Sequence, residues 1–578
     1  MPFNFNTNNT LSLKALKLTS FPLFKYSGFL SQLFFYLFLV SLLLVALSFL
    51  GLVSGLIAVK IPLFLFIALI VSLELHLFND LKIKNLKTDL SLSDVLLSKD
   101  SYNIAEFLSI ESCRIVREAA QVSKRMGLES IGSGALFYAA LMKSKDVQIL
   151  IFRLGIDIKK VQADLKNYLE KQKKPEKFDL LFSKSFEETI VEAANLTAQR
   201  GHQLIGEKEI LVALAKRDQF FKKILVEEDL KEKDVENITL WLDSLEDRIK
   251  KNKNFGTKEN LSKLGSLGRD FASGFTVTLD QFSIDWRKIA KENVFLEIIG
   301  HQKEIDQLEI ILTKSSLSNA LIVGEDGVGK KSIIQALAQR CYLGTGLLEL
   351  KDKRVVELDM VALLSRIQDQ EKLETTLDDI FQEALAAGNV ILFIDRLDNF
   401  VTQKVQKPGE VDISIILAKY LAMPSFQFVA TTSFNGLHRK LEQNPAFLEY
   451  FRKIEVSEVS EIETIRILQN LAIALEQKYK TLITYPAIRE IVNLTARYLP
   501  SIPFPKKAID ILDEAAVYVK SQKETVVLPD HIAKIISDKT QIPMGKMEFK
   551  EKSVLINLEN LIHQRIVNQQ EAVQEISI

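Results

Sequence analysis

The stretch "NALIVGEDGVGKKSIIQALAQ" (residues 319–339) confines the fold more than any other part of the chain. A short apolar run passes directly into Gly324, Gly327 and Gly329 and then into helical spacing. An apolar strand without polar alternation is buried on both faces, which calls for a parallel sheet covered by helices. Similar runs recur at "VVEL" (355–358), "NVILFI" (389–394), "FQFVAT" (426–431) and "KIEV" (453–456), with helical patterns between them. Strands alternating with helices specify an α/β module with a mostly parallel sheet. The glycines also carry chemistry, because they let backbone N–H groups curl around phosphate at a helix N-terminus. The expected cradle is Gly324, Glu325, Asp326, Gly327, Val328 and Gly329, with Lys330 reaching the outer phosphates. Asp395, closing "VILFID", is the carboxylate expected to hold magnesium through its water shell. Lys331 stands where the pattern wants serine or threonine, and Ser332 follows one residue later.

A second constraint lies near the start of the chain. From Gly28 to Leu73 the only charge is Lys60. A bilayer core needs about 20 apolar residues per helix, so this run holds two, turned at "GLVSG" (51–55). The reading is a transmembrane helical hairpin of roughly 29–50 and 56–76, with Lys60 snorkelling to the headgroups. A buried core hairpin is the bland alternative, and the run is too long for the core of a signal peptide. Lys14, Lys17 and Lys25 precede it and Lys82, Lys84 and Lys87 follow it, around an uncharged turn. Both flanks are therefore expected on the cytoplasmic side of the cell membrane, which argues against one long span.

Downstream, "REAAQVSKRMGLESIGSGALFYAAL" (117–141) lines up with "VEAANLTAQRGHQLIGEKEILVALA" (191–215). Ala119/Ala193, Gly127/Gly201, Ile131/Ile205 and Gly132/Gly206 all differ by 74 positions. This marks a duplicated helical unit, not a solenoid. The duplicated unit resembles the repeated amino-terminal domain of the Clp family of AAA+ unfoldases, the second copy more closely through Gly201, His202, Ile205, Gly206 and Glu207. His202 has no metal-ligand partner at useful spacing and reads as a turn or cap residue.

The nucleotide module resembles the same family. "TLDQFSIDWRKIAKENVFLEIIGHQKEIDQLEIIL" (278–312) is similar to its entry segment, which places Ile299 and Gly300 at the adenine pocket. "ATTSFNGLHRK" (430–440) is similar to the sensor-one strand, with Thr432 as sensor beside Thr431. "FPKKAIDILDEAA" (504–516) resembles the helical lid, with Lys507 at the basic position near the phosphates. "QIPMGKM" and "LENLIHQRIVNQQEAVQEIS" resemble the opening of a second AAA+ module. The implied organisation is an N-terminal segment (1–27), the hairpin (28–77), the helical domain (95–249) and a flexible linker (250–276). A nucleotide-binding subdomain (277–460), a helical lid (461–540) and the start of a second module (541–578) complete it.

Four departures from the family's pattern fall on chemistry. Lys331 replaces the metal-binding hydroxyl, and Ser332 lies one helical step, about 100°, away. Arg396 stands at the position of the water-activating glutamate, a loss worth ~10²–10⁴ in rate. Glu449 and Tyr450 occupy the arginine-finger positions, a loss of about 10³–10⁵ in analogous enzymes. Asp369 and Glu371 fall where the pore loop carries an aromatic residue and a glycine. The expectation is ATP binding with weak magnesium dependence and little turnover.

The apolar run, the resemblance and these departures together point to a membrane-tethered scaffold, regulator or recruiting subunit in protein quality control. It would engage protein substrates or adaptors through the helical domain and assemble as a homo- or hetero-oligomeric ring. The alternative is an active ATP-dependent unfoldase whose hydrolysing module lies beyond residue 578; mixed assembly with an active homologue is a third arrangement. Lys+Arg and Asp+Glu balance at 74 each and no basic stripe interleaves with aromatics, so nucleic-acid binding is not expected. Cys113 and Cys341 give no disulfide framework, and no Cys/His metal cluster is present. Trp241 and Trp286 read as packing residues.

Overall fold

The offset of 74 in the sequence recurs in the backbone. Helices Ile110–Met126, Ser133–Lys143 and Lys145–Arg153 are matched by Lys184–Gln199, Glu207–Arg217 and Gln219–Glu227. Their ends are set by equivalent residues. Ser109 and Ser183 cap the first helix of each copy by accepting a backbone N–H. Gly127 (φ +65°) and Gly201 (φ +72°) take the left-handed turn that ends it, a conformation glycine adopts without penalty. The copies also exchange short bridges: Leu108 pairs with Ile205, and Ile131 with Phe182. Adding 74 to Leu108 and Ile131 gives Phe182 and Ile205, so the two bridges are images of each other in a pseudo-two-fold. Phe137 and Phe221 close the shared core with ring centroids 4.5 Å apart.

This computed structural model describes residues 5–7, 10–49, 55–78, 92, 95, 102–171, 181–253, 276–292, 298–367, 369–401 and 412–542. They fall into two compact units, Met1–Leu242 and Asp243–Ile578. The expected membrane turn, most of the expected linker and the expected second-module opening lie outside the described residues.

In the first unit the N-terminal segment is docked onto the duplicated domain. Asn6 N–H donates to Asn103 Oδ1 at 2.9 Å, and Asn103 Nδ2 returns a bond to Asn6 O at 2.7 Å. The Ser12 hydroxyl donates to Leu108 O. Phe5 sets its ring edge-on to Phe182 and Phe186 at 5.1 and 5.5 Å. Helices Ser27–Phe49 and Gly55–Phe78 then pack antiparallel, with Phe38 against Phe66 and Gly28 against His76. Residues Lys60–Phe78 are long and apolar enough to cross a membrane, and only 11% of that span is buried.

The second unit is built on six strands: β1 (Ser283–Asp285), β2 (Asn319–Val323), β3 (Arg354–Leu358), β4 (Val390–Ile394), β5 (Gln427–Thr432) and β6 (Arg452–Glu455). Their order is β1-β3-β4-β5-β2-β6, parallel throughout except for β1. The five expected strands are present within about a residue. The short, half-exposed β1 has no apolar run and was not expected. Every residue of β2, β3 and β4 is buried, as a sheet covered on both faces requires. Helix Lys330–Leu343 covers one face through Ile333, Ile334 and Leu337. Helix Gln370–Ala387 covers the other through Leu373, Leu377 and Phe381. Helices Glu461–Tyr479, Tyr485–Tyr498, Lys506–Ser521 and Pro529–Thr540 form a lid with its own core around Leu468, Ile491, Leu512 and Ile536.

Buried polar pairs knit the duplicated domain together. Ser133 Oγ donates to Asp218 Oδ2 at 2.7 Å, and the equivalent contact joins Ser144 and Glu207. Burial pushes the Glu207 carboxyl up to about 7, against the Ser144 hydrogen bond and with the charges of Asp146 and Glu111 adding to the rise. Burial also opposes ionisation of Glu209, but His202 (3.2 Å) and Arg200 (3.1 Å) hold its carboxyl below the usual range. That contact gives His202 the structural role expected of it. A carboxyl whose folded pKa exceeds its unfolded value of 4.5 binds its proton more tightly in the fold. Its stabilising contribution is full below about pH 4.5 and is lost as pH rises through about 7. Glu207→Gln is expected to raise the unfolding temperature at pH 8 and flatten its slope between pH 5 and 7. Trp241 fluorescence in a Trp286→Phe background is the readout.

Candidate nucleotide-binding site

Strand parity decides which side chains meet. Ala320, Ile322, Val355, Ile391, Phe393 and Val429 share the sheet face covered by helix Lys330–Leu343. Side chains alternate with period two, so Glu357, Asp395 and Thr431 continue that face at the ends of three adjacent strands. Lys331, in the first turn of the covering helix, reaches down to them. Its Nζ lies 2.9 Å from Glu357 Oε1 and 3.1 Å from Asp395 Oδ2. The Trp286 indole N–H donates to Glu357 Oε2 at 2.9 Å. Thr431 Oγ1 donates to Asp395 Oδ1 at 2.5 Å and accepts the Arg396 backbone N–H at 2.9 Å. Burial works against the Lys331 ammonium, but its bonds to Glu357 and Asp395 outweigh that and raise its pKa. It is a cation near neutral pH.

The loop above has the shape of a phosphate cradle. Gly327 and Gly329 adopt φ of +107° and +106°, and a Cβ on Gly324 would lie 2.6 Å from Val456 O. Lys330, 7% exposed, folds its ammonium onto Gly324 O (2.5 Å), Glu325 O (3.2 Å) and Asp326 Oδ1 (3.3 Å). Arg396, at φ +51°, donates from Nη2 to Asp326 Oδ2 at 3.0 Å. Three cations (Lys330, Lys331, Arg396) therefore face three carboxylates (Asp326, Glu357, Asp395). Val328 O accepts from His301 Nε2 at 2.8 Å, which brings Ile299 and Gly300 to the side of the loop. Gly300 (φ +82°) packs on Val459 at the entrance to the lid. Ser332 donates its backbone N–H to Gly329 O at 2.9 Å.

Several residues sit differently from expectation. Thr431, not Thr432, touches the site acid; Thr432 faces the opposite side of the sheet and donates to Asp398 Oδ1 at 2.9 Å. Lys507 turns away to Glu458 at 3.3 Å and the Phe504 ring at 4.0 Å, while Lys506 lays its stem on Gly327. Trp286 is more than packing, because its N–H fixes Glu357. Glu357 itself was missed, although the signal is its parity with Val355 in "RVVEL". Asp369 caps helix Gln370–Ala387 by accepting the Glu371 N–H. Glu449 is exposed and Tyr450 half-buried just before β6, so neither offers a guanidinium.

The glycine cradle and Lys330 fit a polyphosphate. Magnesium fits poorly: it needs oxygen ligands in octahedral array, and an ammonium fills the hydroxyl position with both Asp395 oxygens engaged. Among the described residues no group of His, Cys, Asp and Glu is arranged to hold a metal.

Residues 109–228 match the Clp repeat (R) N-terminal domain. Residues 320–442 match the ATPase family associated with various cellular activities (AAA), and 460–563 the AAA lid domain. Chaperone protein ClpB of Oceanobacillus iheyensis is 24% identical over 80% of this chain and 63% of its own length. The ATP-dependent Clp protease ATP-binding subunit ClpC of Staphylococcus aureus is 28% identical over 65% of this chain and 52% of its own. The solved S. cerevisiae Hsp104-ADP complex superposes over 52% of each chain at 25% identity, with a TM-score of 0.47. The chain is homologous to the ClpB and ClpC proteins and carries a Clp N-terminal repeat, an AAA module and its lid. It spans between 52% and 63% of the length of these curated relatives.

Gly327→Ala puts a Cβ about 2.7 Å from Lys506 Cδ at a strained φ. Nucleotide affinity, read by calorimetry, is expected to fall at least about tenfold, equivalent to ~1.4 kcal/mol, with the folded content unchanged by circular dichroism.

Proposed function

We propose that this chain is a membrane-tethered, Clp-type ATP-binding protein that acts in protein quality control as a scaffold or recruiting subunit, with little or no hydrolysis in this module. The observation that carries the hydrolysis part is the Lys331 ammonium seated between Glu357 and Asp395. A metal cannot use Asp395 while that cation holds it. Arg396 compounds the effect, since a guanidinium paired with Asp326 cannot take a proton from water. Glu449 and Tyr450 offer no cation to a neighbouring subunit, and Asp369, engaged as a helix cap, gives no aromatic grip. The cradle from Gly324 to Lys330 keeps its form, with Thr431, Lys506 and His301 around it.

Two observations support the membrane tether. Hairpin residues Phe29, Tyr36, Val40, Phe64 and Ile67 point outward, between 53% and 69% exposed, as lipid-facing residues do. Residues before the hairpin (Asn6, Ser12) bond to residues after it (Asn103, Leu108). Both ends therefore share one side of any bilayer, which an even number of spans allows and a single span forbids. The positive flanks favour the cytoplasmic side. The Clp repeat domain is then the surface for protein substrates or adaptors, and the AAA module the means of assembly with further copies or with an active homologue.

A second reading, an unfoldase whose hydrolysing module lies beyond residue 578, draws on relatives named as a chaperone and as the ATP-binding subunit of an ATP-dependent protease. A second phosphate loop followed by Asp-Glu in the continuing coding sequence would favour it.

With magnesium and ATP, the purified chain is expected to release phosphate at least about 10²-fold more slowly than an ordinary enzyme rate of ~1 s⁻¹. Release near that rate, abolished by Lys330→Ala, refutes the impaired-hydrolysis reading. The chain is also expected to stay in the membrane pellet after carbonate washing and to leave it when residues 28–77 are deleted.

A further inference from the structure

A nucleoside polyphosphate brings several negative charges to the cradle, and cations have to meet them. In P-loop NTPases a magnesium ion meets much of that charge, held by a hydroxyl after the loop lysine and by water on the strand-end aspartate. Both positions are committed elsewhere here. The Lys331 ammonium lies 2.9 Å from Glu357 Oε1 and 3.1 Å from Asp395 Oδ2, two carboxylates from adjacent parallel strands. The second oxygen of each is engaged as well: Trp286 donates to Glu357 Oε2, and Thr431 to Asp395 Oδ1. A lysine ammonium has three N–H donors. These contacts use two and leave the third for a phosphate oxygen. The Lys331 side chain is 51% exposed, so ligand can reach it. A hydrated divalent ion would have to displace this ammonium from both carboxylates while two positive charges crowd one space.

We propose that Lys331 is the resident cation of the site and that the module binds nucleoside di- or triphosphate as the metal-free polyanion. Glu357 sets this preference together with Asp395, because it holds the ammonium where the ion would otherwise sit. The inference rests on the nucleotide-binding reading above and adds the ionic form of the ligand. Asp326 is the counter-charge that gives way: it pairs with Lys330 and Arg396, and its half-exposed carboxylate can swing out as phosphate arrives.

The test is ADP and ATP binding to the full chain in mild detergent, measured by calorimetry in EDTA and then in excess magnesium. The wild type is expected to bind in EDTA and to lose at least about tenfold in apparent affinity in excess magnesium, which draws the free polyanion into its metal complex. Lys331→Thr is expected to lose at least about tenfold in EDTA and to recover in magnesium. A wild-type affinity that drops about tenfold or more without magnesium, with Lys330→Ala silent in both conditions, overturns the resident-cation proposal and leaves the nucleotide site standing. Absence of binding in both conditions overturns the two together. Manganese resonance needs no variant when protein is in excess over ADP so that the nucleotide is protein-bound: a free-ion spectrum is expected, and manganese bound in proportion to the ADP rejects the proposal. Trp286 adds a local probe in a Trp241→Phe background, since its N–H bond to Glu357 shifts the emission if the ammonium is displaced.

Discussion

In the second unit an ammonium from a helix N-terminus is gripped by carboxylates from two neighbouring parallel strands. The contact exists because three periodicities agree. Glu357 and Asp395 fall on the same face of β3 and β4, Thr431 continues that face on β5, and Lys331 occupies the first turn of the helix packed over all three. A serine at 331 would leave two carboxylates converging on empty space, a repulsive arrangement that an ion must relieve. Lysine relieves it from within. The surrounding features form one set with it: Trp286 anchoring Glu357, Arg396 neutralising Asp326, and the cradle closed over Lys330.

The first unit shows an analogous economy of charge. Among the described residues two acids of the duplicated domain have serine partners, and the pairs obey the pseudo-two-fold: Ser133 with Asp218, Ser144 with Glu207. The copies are no longer equivalent, since a serine at 133 is answered by a glutamate at 207 whose proton binds near neutrality. The N-terminal segment adds an asymmetry of its own. By laying Phe5 against Phe182 and Phe186 it ties the stretch before the apolar hairpin to the domain after it.

Much of this is legible in the sequence. The strands, the glycine loop and the 74-residue duplication each rest on local periodicity, and local periodicity survives folding. The aberrant residues Lys331 and Arg396 stood out because a short motif fixes their neighbours. What was not legible depends on register. Glu357 meets Lys331 because β3 pairs with β4 so that Glu357 lies opposite Phe393, two residues before Asp395, and no short stretch encodes that offset. The choice between Thr431 and Thr432 was hidden for a related reason. β5 is buried on both faces, so its alternation leaves no polar trace. Lys506 and Lys507 are adjacent, and one helical step decides which lies on the loop.

We propose that a lysine ammonium takes the place of a divalent ion beside a nucleotide-binding loop. A crystal of the chain grown with ADP and manganese, with data collected at the manganese absorption edge, addresses it most directly. The expected result is nucleotide density in the Gly324–Lys330 cradle, no anomalous peak beside Asp395, and the Lys331 nitrogen still within hydrogen-bond reach of Glu357 and Asp395. An anomalous peak coordinated through Asp395, with the Lys331 side chain expelled to solvent, would contradict the account.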